Sequence, residues 1–120
     1  MYKLMVVDDS KLIRQKIERE CDPSLFQIAG SAADGADALS LFKLAMPNVV
    51  TMDLTMPNLD GIQCIEGLIE LDPSVKILVI SALNDKETGI EALEKGAMGF
   101  ITKPFSGSDL QTALREIIED

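Results

Sequence analysis

Short apolar runs alternate along the chain with longer segments whose apolar residues recur every three or four positions. The runs cover 3–7, 26–32, 48–52, 75–80 and 98–102, and each has the length of a buried strand. The run 26–32 is the least apolar and reads as an edge. Between and after the runs, helical spacing groups Leu12, Ile13, Ile17 and Cys21; Ala38, Leu39, Phe42 and Ala45; Ile62, Ile65, Leu68 and Ile69; Ile90 and Leu93; and Leu110, Ala113, Leu114, Ile117 and Ile118. Ser10, Asp34, Asp60, Asn84 or Asp85, and Ser106 stand at the expected N-caps, and Asp109 follows Ser106 at capping-box spacing. Asp22–Pro23, Pro47 and Asp72–Pro73 end the first three helices. Gly96 is a C-terminal signal for the fourth. Gly89 inside that helix costs it about 1 kcal/mol relative to alanine, which makes it the expected mobile element. Five strands alternating with five helices predict an α/β fold: a parallel sheet with helices on both faces. Alternation alone does not fix the strand order.

In a parallel sheet all strand C-termini share one edge, where ligands bind in open α/β folds. Here those ends read Asp8 and Asp9, then Asp53, then Ser81, then Lys103. Asp53 closes the run VVTMD and precedes a turn of Thr55, Met56, Pro57, Asn58 and Asp60. Carboxylates held about 4 Å apart at an effective dielectric near 20 repel by roughly 4 kcal/mol per pair, so such a cluster raises a pKa or recruits a cation. Oxygen donors, with no histidine anywhere in the chain, favour Mg²⁺ or Ca²⁺. No calcium-binding EF-hand loop is present, so Mg²⁺ fits best. A carboxylate beside a metal, a lysine and a hydroxyl is a set of parts for phosphoryl transfer, with Asp53 as nucleophile. The chain has no glycine-rich phosphate loop. The expected donor is therefore a phosphoprotein or a small phosphodonor rather than a nucleotide.

The length of 120 residues suits one domain. The net charge of −9 argues against a general nucleic-acid surface and against docking on anionic lipid. Cys21 and Cys64 lack metal-ligand spacing and read as small core residues. No apolar run approaches the roughly 20 residues of a membrane span, and no signal peptide is evident. A cytoplasmic protein without membrane insertion is expected.

The blocks VVDDS, MDLTMPNLDG, VISA and GAMGFITKPF, in this order and spacing across about 3–118, resemble the receiver domain of response regulators in two-component signalling, the CheY-like superfamily. The resemblance implies a flavodoxin-like, doubly wound sheet in the order 2-1-3-4-5. It implies that 1–120 is a single receiver domain with no output domain in this chain. Asp53 would be the modified phosphoacceptor. Asp8, Asp9 and Asp53 would hold Mg²⁺ with the backbone carbonyl of Thr55. Ser81 and Lys103 would contact the phosphoryl group, the Lys103–Pro104 bond would be cis, and Ser81 and Phe100 would form the switch. Phe100 lacks the hydroxyl of the tyrosine often found there, so any switch works by packing. Leu83 and Thr55 hold the two variable positions near the site, and apolar Leu83 is expected to hinder the attacking water and lengthen the phosphorylated lifetime.

A sensor histidine kinase or phosphotransfer protein is the implied donor, meeting the first helix near Lys11, Leu12, Arg14 and Gln15. The implied output is a partner protein on the surface of the fourth helix, fifth strand and fifth helix, in a stand-alone chemotaxis-type regulator. Such a chain catalyses only its own phosphorylation and dephosphorylation. Three alternatives stand beside this reading. The chain could be the receiver portion of a DNA-binding response regulator. A Mg²⁺-dependent aspartyl-phosphate phosphatase would need a D-x-D motif where Asp8 and Asp9 are adjacent. A flavin module would need a less acidic first loop than DDSKL.

Overall fold

The computed structural model describes residues 1–55, 61–83 and 85–119. The expected turn residues 56–60, with the Asp60 cap, and the candidate cap Asn84 lie outside them. The strands are β1 (Tyr2–Val7), β2 (Phe26–Ala32), β3 (Val49–Asp53), β4 (Lys76–Ala82) and β5 (Gly99–Lys103). The helices are α1 (Lys11–Glu20), α2 (Gly35–Ala45), α3 (Gly61–Leu71), α4 (Lys86–Glu94) and α5 (Gly107–Glu119). All strand pairs are parallel, and the order is β2-β1-β3-β4-β5, as the resemblance implies.

Alternate strand residues feed two cores. Met5, Val7, Val50, Met52, Ile77 and Val79 pack with α2, α3 and α4. Leu4, Val6, Val49, Leu78 and Ile80 pack with Ile17 of α1 and with Leu110, Leu114 and Ile117 of α5. The caps form as expected at Ser10, Asp34 and Asp85. The Ser106–Asp109 box is reciprocal, with both backbone N–H groups donating across it at 3.0 Å. Both cysteines are buried, and burial raises both thiols, that of Cys64 to about 11, which leaves them unreactive. Among the described residues no helix is long and apolar enough to cross a membrane.

Two helices differ from the reading of their periodicity. Leu12 is 77 % exposed, because it lies one position off the row formed by Ile13, Ile17 and Cys21. In α4, Ile90 and Leu93 face outward, whereas Gly89 and Ala92 are buried. Gly89 has a packing reason: a Cβ there would sit 3.1 Å from the ring of Phe100. Small residues let α4 approach β5 and leave room for that ring.

The core also holds a polar group away from the strand ends. Thr51 is fully buried in β3, and its hydroxyl has no hydrogen-bond partner among the described residues. Thr51→Val keeps the shape and removes the desolvated hydroxyl, so it should raise stability by about 1 kcal/mol. The readout is a higher urea midpoint at unchanged m-value; a lower midpoint would show that the hydroxyl is satisfied in solution.

Candidate functional site

The sheet register assembles the site. Val7 of β1 lies beside Met52 of β3, so Asp8 and Asp53 are the next residues along adjoining strands. Asp53 pairs with Ile80 of β4, and Ser81 pairs with Thr102 of β5. Ser81 and Lys103 therefore follow one step beyond their neighbours. The strand-end residues singled out from the sequence converge on one rim because the strands run parallel and end close to one another in the register.

Asp8 and Asp53 are fully buried, while Asp9 is exposed. One oxygen of each buried carboxylate is tied down locally. Asp8 Oδ1 accepts from the backbone N–H of Ser10 at 2.8 Å. Asp53 Oδ1 accepts from the backbone N–H and the hydroxyl of Thr55 at 2.9 and 2.7 Å. The second oxygens face the ammonium of Lys103, at 3.1 Å from Asp8 Oδ2 and 3.3 Å from Asp53 Oδ2. The Lys103–Pro104 bond is cis. Ser81 is fully buried, and its hydroxyl has no partner among the described residues. Phe100 is half-buried against α4.

The charges in this cluster are unevenly served. Burial and the like charge of Asp53 push the carboxyl of Asp8 up, against the opposing pull of the Ser10 N–H and Lys103. Burial also works against the Lys103 ammonium, but the attraction of Asp53 and Asp8 outweighs it and raises its pKa. One cation gains from two anions, whereas each anion has only a share in one cation. Ligand oxygens of Asp8, Asp9 and Asp53 all lie within 4.8 Å of one another. Among the described residues, Asp8 Oδ2 and Asp53 Oδ2 accept no hydrogen bond apart from the ion pair with Lys103. A hard, all-oxygen donor set with residual negative charge fits Mg²⁺.

Three tethers were not read from the sequence. Thr55 reaches Asp53 through its N–H and hydroxyl. Arg14 donates from Nη1 to the Asp8 carbonyl at 2.7 Å. Lys16 donates to the Phe105 carbonyl. Only the first had a local signal: Asp22–Ser24 and Asp72–Ser74 form the same two-residue bracket at the surface, and Asp53-Leu54-Thr55 repeats that spacing.

The chain is similar to known proteins over nearly its whole length. Residues 4–115 match the family model of the response regulator receiver domain. Protein CcdB of Bacillus subtilis is 37 % identical over 118 residues, covering 98 % of each chain. The chemotaxis protein CheY of Thermotoga maritima is 36 % identical over 115 residues, covering 96 % of each. In the crystal structure of the CheX–CheY–BeF3–Mg complex from Borrelia burgdorferi, the matched chain is 31 % identical with a TM-score of 0.85, over 98 % of this chain and 87 % of that one. The family match over 4–115 and relatives of this identity and coverage, joined to a sheet of this order, show that the chain belongs to the response regulator receiver family.

Proposed function

We propose that the protein is a phosphorylation switch whose acceptor is Asp53. The observation that carries this is the carboxylate of Asp53, buried, held by Thr55 and 3.3 Å from the Lys103 ammonium. An Asp53 oxygen attacks the phosphorus of a phosphohistidine or small acyl phosphate, and the bond from phosphorus to the donor breaks as the acyl phosphate forms. Lys103 stabilises the charge on the transferred group. Asp8, Asp9 and Asp53, with the Thr55 carbonyl, would hold Mg²⁺, which supplies further positive charge against the phosphoryl oxygens. The Ser81 hydroxyl, without a partner among the described residues, bonds the new group. The chain thus acts on itself and is not an enzyme for other substrates.

Phosphorylation adds about −1.5 to −2 charge at Asp53. Ser81 drawn toward it makes room beside β4, and Phe100 turns inward by packing alone. Inverting a ratio of about 1:10 to 10:1 takes about 2.7 kcal/mol, within reach of a few charge-assisted hydrogen bonds. The surface of α4, β5 and α5 then changes for an output protein, and a histidine kinase or phosphotransfer protein supplies the group. Similarity to chemotaxis proteins over 96–97 % of this chain supports a chemotaxis-type regulator. Leu83 is exposed two residues beyond Ser81, and in this reading its apolar side chain hinders the attacking water and prolongs the phosphorylated state.

Intact-mass spectrometry after incubation with acetyl phosphate and Mg²⁺ tests the reading. One phosphoryl group should appear on the wild type and disappear with Asp53→Asn or with chelator. Equal labelling of Asp53→Asn would move the acceptor elsewhere.

A further inference from the structure

We propose that Lys16 is a positioning residue for phosphoryl transfer, acting through the segment that carries Lys103; this rests on the phosphoacceptor reading above. Lys16 lies in α1, away from the acid cluster. Its ammonium donates to the Phe105 carbonyl and sits 4.5 Å from the centroid of the Phe105 ring. Phe105 is buried in the core shared by α1 and α5 and stands two residues beyond Lys103. One side chain of α1 thus grips both the backbone and the ring of the residue that turns the chain from β5 into α5.

The same helix holds the other side of the site, because Arg14 donates to the Asp8 carbonyl at 2.7 Å. Gln111 of α5 in turn donates to the Glu20 carbonyl at 2.7 Å, at the far end of α1. α1 is therefore a bracket across the two strand ends whose side chains meet, with Lys103 3.1 Å from Asp8. The Lys103 ammonium must span two carboxylates at once, so a shift of its backbone moves it off both. The relation of Lys16 to Phe105 is one of placement and not of chemistry: Lys16 contacts neither carboxylate.

The test measures phosphorylation of the intact protein by acetyl phosphate, followed by mass, across a Mg²⁺ titration. Lys16→Met keeps the aliphatic stem and removes donor and cation. It should lower the rate about tenfold, since a misplaced group of this kind costs one to two orders of magnitude. The Mg²⁺ concentration for half-maximal rate should stay within about twofold, because its ligands do not touch Lys16. Lys16→Arg keeps a donor and a cation over the ring and should restore most of the rate. A Lys16→Met rate within about twofold of wild type overturns the proposal. So does a fall in rate matched by an equal loss of Mg²⁺ affinity, which marks general loosening, or failure of Lys16→Arg to recover. Should Lys16→Met lose its cooperative melt, Lys16→Gln replaces it under the same criteria. Absence of phosphorylation in the wild type itself would instead overturn the phosphoacceptor reading.

Discussion

Lys103→Met should destabilise the metal-free protein at neutral pH by about 3–5 kcal/mol, the range for removing one partner of a buried ion pair. The Lys103 side chain is only 24 % exposed, and both carboxylates it bridges are fully buried. Without it no other cation among the described residues bridges the Asp8 and Asp53 carboxylates. The sign with pH follows from the direction of the shifts. The Lys103 pKa is raised by folding, so its stabilisation is complete below its unfolded pKa and is lost only as pH rises through the higher folded value. At neutral pH the wild type keeps this contribution in full. The Asp8 pKa is already raised, and loss of the ammonium raises it further. The defect of the variant should therefore shrink as pH falls and the carboxyl takes up a proton. Mg²⁺ should also repair it, by binding the folded cluster alone. Urea unfolding at neutral and mildly acidic pH, with and without Mg²⁺, reads all three effects. A loss of stability equal under every condition would mean that Lys103 contributes by packing and not by charge. The rate of phosphorylation should fall about 100-fold or more even where the fold is restored, as for loss of a preorganised charge.

Most of the architecture was visible in the apolar pattern, because strands buried on both faces read as continuous runs. What escaped shows the limits of that signal. β4 runs on to Ala82, so Ser81 belongs to the strand; main-chain pairing with Thr102 continues where the side chains cease to be apolar. In α4 the buried face is made of Gly89 and Ala92, too small to register as hydrophobic, while Ile90 and Leu93 point outward. The strand order came from the resemblance, since alternation fits several orders. The site was legible for a topological reason: parallel strands carry whatever ends them to one rim, so Asp8, Asp53, Ser81 and Lys103 declared themselves by position. The tethers did not. Arg14 to Asp8, and Lys16 to Phe105 across 89 positions, depend on how α1 lies against the sheet, which neither periodicity nor spacing records.

Asp8→Asn should shift stability in the opposite direction from Lys103→Met. Ionised Asp8 is held at a loss, first by burial and then by Asp53. For a carboxyl whose folded pKa is raised, the penalty is absent below the unfolded pKa, grows as pH rises to the folded value and stays constant above it. A neutral amide avoids it. Its oxygen can still accept from the Ser10 N–H, and Lys103 keeps Asp53 as partner. The metal-free variant should gain about 1–2 kcal/mol at neutral pH, or about 3–8 °C in Tm for a chain of this size, and the gain should vanish toward acid. Mg²⁺ should no longer raise Tm, because the variant loses a charged ligand from the set formed with Asp9 and Asp53. Thermal melts with EDTA and with Mg²⁺ separate the two effects. A lower Tm than wild type in EDTA would show that Asp8 is well paid by Lys103 alone, and the argument that the cluster is short of positive charge would fail with it. A higher Tm joined to loss of the Mg²⁺ response would mean that the fold tolerates instability at this rim because the carboxylates are kept for a ligand.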